Sequence, residues 1–467
     1  MSIDVHAALT ARSLPGPRSA ALLQRQAEHE SNARSYPRNL PFAIARGEGS
    51  FLVDVDGNSY VDFLMGAGVL PLGHSHPELV DVAGRQLGVF AHGLDMPTEV
   101  KDEFTAVHLG LLPDAMRADG YKIHFCGPTG ANTVDAAIKL AKTATGRREI
   151  MAFRGGFHGT THLAMSLTGL LDQREPVANT VPGVHFATYS HCSRCPVGLE
   201  RSTCQVNCAA TIETQLRDVN GGMLPPAAVI LELVQGEGGV IPAEPEFVHR
   251  VAAAAREAGA LLIVDEVQTG CGRTGTWLAF EQYGIEPDII CLSKALSGIG
   301  TPLGIIIYRS ELDTWAPGAH TGTFRGNQLG FAAGIETVRI FERDDILDNV
   351  QRRAAQVRRI FEPLEALPHV RQVRGLGLMW GIELQDPETG APEGSLARIV
   401  QRRAVERGLI VERGGRQDCV VRILPALNVT AEVIDAACGL LAELVESCVD
   451  TTPLPSGRAL ALSESFV

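Results

Sequence analysis

The sequence predicts an α/β protein whose central sheet is mostly parallel, and three observations carry that reading. Two runs of strand length, Ala260 to Val264 and Asp288 to Leu292, end in Asp265-Glu266 and in Ser293-Lys294. Apolar strands without alternation are buried on both faces, as in parallel sheets. Between Ala227 and Val264 the chain reads strand, amphipathic helix, strand, which is the crossover that joins parallel neighbours. At 467 residues the chain is also long enough to bury a large core and to divide into more than one domain.

Composition narrows the partners. A hydrophobic fraction of 45% belongs to a globular chain, and a formal net charge of −13 argues against nucleic acid, which selects basic surfaces. No apolar stretch reaches the ~18 residues of a membrane span, and the opening MSIDVHAALTARSLPGPRSA lacks the apolar core of a signal peptide. A cytoplasmic protein acting on small molecules is therefore expected. Ten cysteines in a chain of this length do not make a disulfide scaffold.

Taken in order, the chain starts with a stretch containing Pro15 and Pro17 that reads as a loose arm, then Ser19 to Glu30 with Leu22, Leu23 and Gln26 at helical spacing. From Glu30 to Pro77 strand-like runs alternate with turns at Gly47 to Gly49 and at Asp56-Gly57-Asn58. At Phe125 to Gly146 a Gly/Thr turn feeds a helix whose Val134, Ile138 and Ala141 share a face. Free amides and the positive dipole end at such a turn form an anion site. The strand EIMAF leads into Arg154 to Gly169, which carries an aromatic-His-Gly sequence at Phe157, His158 and Gly159. After the strand that begins at Ala227 comes a helix with Phe247, Val251 and Ala255 on one face, closed at Gly259. LGIIIYR is a further strand, and His320 to Gly330 is a turn and helix start. Beyond Phe331 helices alternate with the short strands VRGLGLMWGIEL, LIVERG and CVVRILPALNVT, and a Ser- and Pro-rich tail follows about Asp450.

Between these elements, His191 to Ala210 holds Cys192, Cys195, Cys204 and Cys208 as C-x2-C, eight residues, then C-x3-C. The pattern is within reach of a structural four-thiolate zinc site, with a shorter gap than common zinc fingers have. The alternative is a loop of reduced thiols.

An acid and an amine delivered together to the carboxyl edge of a parallel sheet, where ligands of open α/β folds sit, call for a chemical explanation. Pyridoxal 5'-phosphate asks for this pair: a lysine for its Schiff base and an acid beside its pyridine nitrogen. DEVQTGCGRTG, followed by a strand ending Ser293-Lys294, resembles the signature of class III (ornithine/4-aminobutyrate type) aminotransferases, a fold-type I pyridoxal-phosphate family. The likeness runs from about Glu30 to about Val429, and the opening ESNARSY is closer to diaminobutyrate aminotransferases than to the family at large.

The resemblance implies a large domain with a mostly parallel seven-stranded sheet flanked by helices, and a small α+β domain drawn from both termini. The boundaries it implies are 1–75 for the arm and the N-terminal part of the small domain, and 76–330 for the cofactor-binding domain, with the Cys-rich loop at 191–210. The C-terminal small domain would take 331–450 and the tail 451–467. It further implies roles by position. Lys294 is the Schiff-base lysine and the mobile proton carrier, and Asp265 keeps the pyridine nitrogen protonated. Gly130 and Ala131 bind the phosphate, and Thr323 reaches that phosphate from the neighbouring subunit of a homodimer. Phe157 and Val267 pack on opposite ring faces with His158 beside them, and Gln268 bonds the ring hydroxyl. Glu232 matches a family glutamate of the cofactor site. Arg422 binds the carboxylate of glutamate or 2-oxoglutarate, and Glu237 pairs with Arg422 when no carboxylate is there. Thr160 departs from members that place an arginine after His-Gly to anchor a second carboxylate.

The expected reaction moves the terminal amine of an amine donor to a 2-oxo acid: L-2,4-diaminobutyrate and 2-oxoglutarate, or aspartate 4-semialdehyde and glutamate in reverse. Alternatives are another ω-amine donor such as 4-aminobutyrate, ornithine or a specialised intermediate, an aminomutase, or a regulator of the same fold that has lost catalysis. Intact Lys294, Asp265 and Gln268 speak against the last.

Overall fold

The structure is a computed structural model that describes residues 3–172, 174–177 and 179–450. The tail read at 451–467 lies outside the described residues.

The central sheet has seven strands, in the order Tyr121–Gly127, Gly304–Arg309, Ile289–Leu292, Leu261–Asp265, Ala228–Leu231, Ile150–Phe153 and Val184–Ala187. Gly304–Arg309 runs antiparallel to both neighbours, and the pairs from Ile289–Leu292 through Val184–Ala187 are parallel. Ala228–Leu231, Ile289–Leu292 and Ile150–Phe153 are buried throughout, which is why their sequences run apolar without alternation. Helix Gly130–Thr145 turns Val134, Ile138 and Ala141 into a core layer with Ile263, Ile289 and Ile306 of the sheet. Helix Pro245–Glu257 buries Phe247, Val251 and Ala255 in a second core, and Gly259, at φ +64°, turns the chain into Leu261. Only a residue without Cβ takes that left-handed position without strain.

Two four-stranded sheets and a two-stranded one, Val234–Gln235 with Ile241–Pro242, accompany the central sheet among the described residues. In one, Ile44–Glu48, Phe51–Asp54 and Ser59–Asp62 are joined by Leu409–Ile410, so distant parts of the chain share a sheet. The other contains Val370–Leu376, Met379–Leu384, Val420–Ile423 and Glu412–Gly414. Glu412 pairs with Arg422 in its register, and this places two charged side chains side by side.

The stretch read as a loose arm is anchored. Asp4 caps the short helix Val5–Ala8 by accepting from Ala7 N, and Val5 and Ala8 are buried in the main core. Arg12 donates to Ser59 O at 2.6 Å and lies over the Tyr60 ring. Two apolar residues three apart and one arginine outweigh the prolines that gave the sequence its loose appearance.

Candidate active site

Lys294 follows the strand Ile289–Leu292 with φ +43°, a left-handed conformation that an ordinary side chain adopts only when its surroundings hold it. Ser293 helps fix it by donating from Oγ to Leu303 O at 2.8 Å. The amine is buried, and burial holds its pKa below that of an ordinary lysine against the opposing pull of Glu237, Glu412 and Asp265. A lysine of lowered pKa is a nucleophile and a proton carrier near neutral pH.

Asp265 stands at the end of the neighbouring parallel strand. Its Oδ1 accepts from Val267 N at 3.0 Å, and its Oδ2 lies 2.7 Å from His158 Nδ1. Burial works against charge on the His158 ring, but the hydrogen bond and charge of Asp265 outweigh it and raise the imidazole pKa. Glu232, at the end of a third strand, accepts from Phe157 N at 2.8 Å and from Gly236 N at 3.1 Å. Burial pushes its carboxyl up to about 7.

The loops at the strand ends are packed against one another through positions that tolerate no larger side chain. A Cβ on Gly130 would lie 2.6 Å from Val267 Cγ1, and one on Gly159 would lie 2.7 Å from Ala131 Cβ. The start of helix Gly130–Thr145 therefore touches both the Val267 loop and the Phe157-His158-Gly159 turn. Asn132 Oδ1 accepts from Thr129 N and Thr129 Oγ1, which secures the helix entry and leaves the Gly130 and Ala131 amides in its first turn without intrahelical acceptors. Phe157, Val267 and Gln268 are half-buried around this junction. A Cβ on Gly236 would come within 1.7 Å of Gln268 Oε1, so glycine is what admits the glutamine.

Arg422 lies across the site from Lys294. Its Nη1 and Nη2 donate to Glu237 Oε1 at 3.1 Å and Oε2 at 2.8 Å, a two-bond fork. Arg422 Nη2 is also 2.8 Å from Glu412 Oε2. Burial disfavours the guanidinium charge, yet the two carboxylates more than compensate and raise its pKa. For Glu237 burial acts upward, and Arg422 overcomes it to leave the carboxyl below its usual range. Burial dominates at Glu412, whose pKa is raised. Tyr36, from ESNARSY, stands beside Glu412, and burial followed by the charge of that carboxylate raises the phenol pKa.

Tyr36 and Glu412 are the residues that sequence reasoning missed. The signal for Glu412 was its place in LIVERG, one register position across from Arg422. Thr323, in contrast, is exposed, next to exposed Phe324. An isolated β-bridge between His92 and Asn327 brings its segment beside exposed Phe90, Leu94 and Met96.

The four cysteines of the zinc expectation face one another across a small cavity. Cys192, Cys195, Cys204 and Cys208 line one small cavity of about 20 Å³ with Arg201 and Glu244. Among the described residues, however, no three His, Cys, Asp or Glu side chains gather as a metal-binding group. Cys192 Sγ donates to Glu244 Oε1 at 3.5 Å and Cys204 Sγ to Arg201 O at 3.7 Å. Burial pushes the Cys192 thiol up to about 12 and raises Cys208 as well. Arg194, the last residue of the turn Cys192–Arg194, pairs with Glu383.

The residues fit pyridoxal phosphate. Gln268 Nε2 and His158 Nε2 are buried with no acceptor in line, so the site holds donors for a ligand. The helix entry supplies amides for a phosphate, and Lys294 and Asp265 supply the amine and the acid for the ring.

Known proteins agree with this geometry. The family model for class III aminotransferases matches residues 32–445. Diaminobutyrate–2-oxoglutarate aminotransferase of Rhizobium meliloti is 47% identical over 442 residues, which cover 92% of this chain and 93% of that protein. The Haemophilus influenzae protein of the same name is 45% identical, covering 87% of this chain and 91% of its own. Among solved structures, ornithine aminotransferase from Toxoplasma gondii superposes with a TM-score of 0.79 at 24% identity, covering 92% of this chain and 96% of that one. A Bacillus anthracis aminotransferase gives 0.82 at 24% identity, covering 93% and 100%. The chain belongs to the class III aminotransferases and is a pyridoxal-phosphate-dependent transaminase.

Proposed function

We propose that this transaminase exchanges the terminal amine of L-2,4-diaminobutyrate with 2-oxoglutarate, or aspartate 4-semialdehyde with glutamate in reverse. The names of the relatives at 47% and 45% identity support the substrate pair. The observation that carries the reading is the bidentate Glu237–Arg422 pair beside Lys294. One site has to accept glutamate, whose reacting carbon bears a carboxylate, and a terminal amine, whose reacting carbon bears none. Glu237 neutralises Arg422 for the second and yields to the substrate carboxylate for the first. Gly236, Gly238 and Gly239 around it are closely packed, so Glu237 yields by rotation of its half-buried side chain, not by movement of the turn.

When bound, pyridoxal phosphate supplies the carbonyl that captures an amine and a ring that withdraws electrons from the carbon losing its proton. Around it we assign each role to a side chain. Lys294 would hold the bound carbonyl at rest, and its Nζ would move the proton taken from the substrate carbon. Asp265, oriented by His158, keeps the pyridine nitrogen protonated. Gln268 Nε2 donates to the ring hydroxyl, Phe157 and Val267 flank the ring, and the Gly130 and Ala131 amides hold the phosphate. Glu232 fixes the Phe157-His158 turn through Phe157 N. The partner subunit's Thr323 completes the phosphate site in a homodimer, for which the exposure of Thr323 beside an apolar surface is the support.

The same reading takes 331–450 and the N-terminal strands before residue 76 as one small domain, which the pairing of Ser59–Asp62 with Leu409–Ile410 supports. It places the protein in the cytoplasm, where its substrates and its free cysteines are at home. No helix among the described residues is long and apolar enough to cross a membrane. Incubating the holoprotein with L-2,4-diaminobutyrate and 2-oxoglutarate should yield glutamate and aspartate 4-semialdehyde in equal amounts. Glutamate formed only with a different amine donor would reassign the substrate.

A further inference from the structure

Two carboxylates converge on one guanidinium at this site. Glu237 accounts for Arg422 with two hydrogen bonds. Glu412 Oε2 is 2.8 Å from Arg422 Nη2 but off the line of its N–H bonds, and this buried oxygen accepts no hydrogen bond. A buried, unbonded carboxylate oxygen is expensive unless a ligand completes it. Glu237 takes both hydrogen bonds of the Arg422 fork, so Glu412 keeps only an ion pair there and its oxygen stays open to a second donor.

The two acids also differ in their support. Glu237 lies in a glycine-rich turn, whereas Glu412 lies on the strand Glu412–Gly414, held in register with Arg422. A Cβ on Gly414 would lie 2.8 Å from Arg422 Nε, so glycine there lets the two strands bring guanidinium and carboxylate together. Glu412 is thus the fixed anion of the pocket and Glu237 the movable one. Lys294 feels the charge of both carboxylates, so the lysine and the two acids belong to one pocket.

We infer that Glu412 is the specificity-determining residue that receives the α-ammonium group of the diamine substrate. This rests on the diaminobutyrate reading and adds how that substrate is told from its nearest analogue. L-2,4-diaminobutyrate and 4-aminobutyrate have the same chain, the same terminal amine and the same carboxylate, and differ by one ammonium group on the carbon beside the carboxylate. With the terminal amine at the reacting position, that ammonium stands two carbons further along and meets the unbonded Glu412 oxygen, with Tyr36 beside it. 4-Aminobutyrate brings no donor and leaves the oxygen with the Arg422 ion pair alone. For glutamate the same charge is a hindrance, because it lies next to the guanidinium that has to take the substrate carboxylate.

The test compares binding and half-reactions in the holoprotein and in Glu412→Gln, which keeps the shape and removes the charge. Dissociation constants for both amines are measured calorimetrically in the Lys294→Ala background, where chemistry is stopped. The substitution should weaken L-2,4-diaminobutyrate by at least about tenfold relative to 4-aminobutyrate, the scale of a lost buried charge pair. In the lysine-containing protein the loss should appear in KM more than in kcat for the diamine, and KM for glutamate should fall. Equal weakening of the two amines, with glutamate impaired as well, would make Glu412 a structural support of Arg422 and overturn the inference alone. Failure of the unmutated holoprotein to transaminate L-2,4-diaminobutyrate would overturn the substrate reading and this inference with it.

Discussion

Arg422 is 1% exposed and lies between Glu237 and Glu412, so its charge must be matched whichever substrate occupies the site. When a terminal amine reacts, no substrate carboxylate reaches it, and an unpaired buried charge costs several kcal/mol. Removing the movable partner should therefore penalise one half-reaction selectively. Glu237→Ala is expected to slow the half-reaction with L-2,4-diaminobutyrate by about tenfold or more relative to that with glutamate, a modest fraction of the cost of an unpaired charge. Single-turnover rates for both half-reactions decide it, and equal losses would remove Glu237 from the switching role. Glu412 limits the effect, since one carboxylate remains near the guanidinium after the substitution.

Among the elements, the strand Leu261–Asp265 and the loop after it illustrate what a sequence discloses. Asp265 and Lys294 were legible because two buried strands end at the same sheet edge, and strand ends are marked locally by the loss of apolar character. The helix entry at Gly130 was legible for a similar reason, since turn and helix adjoin in the chain. Glu412 and Tyr36 were not, because their place depends on pairing between strands and on the docking of ESNARSY, neither of which has a local signature. In the cysteine loop spacing reports which thiols can meet, while the pairing of Cys192 with Glu244 and of Arg194 with Glu383 depends on distant parts of the chain.

The same loop yields a pH prediction. Glu266 accepts from Thr269 Oγ1 at 2.6 Å and Phe280 N at 2.9 Å, and burial pushes its carboxyl up to about 7. A carboxyl raised on folding binds its proton more tightly in the native state, so it costs stability as pH rises from the unfolded pKa toward the folded one. The slope is at most about 1.4 kcal/mol per pH unit for one such group, and it ends above about pH 7. Glu266→Gln should flatten the fall of the thermal midpoint between about pH 5 and about pH 7 by a matching amount. Parallel curves for variant and parent in urea or heat would show that the group does not titrate in that window.

At the scale of the molecule, the exposed apolar residues Phe90, Leu94, Met96 and Phe324 surround the segment that carries Thr323. A contiguous patch of this kind is what a second copy would cover. If the partner subunit's Thr323 holds the phosphate, cofactor binding and association are linked equilibria. Phe324→Glu should then shift the protein toward monomer in sedimentation and weaken pyridoxal phosphate in parallel. A monomeric variant that retains the cofactor as tightly as the parent would separate the two and place the phosphate site within one chain.

The account as a whole stands on one site serving a terminal amine and an α-amino acid in alternation. Its most direct test is a stopped-flow experiment in which the holoprotein meets L-2,4-diaminobutyrate with no 2-oxo acid present. The account predicts that the cofactor's visible absorption is lost in a single turnover and returns when 2-oxoglutarate is added. Absorption left unchanged by the diamine, in protein that glutamate bleaches normally, would contradict it.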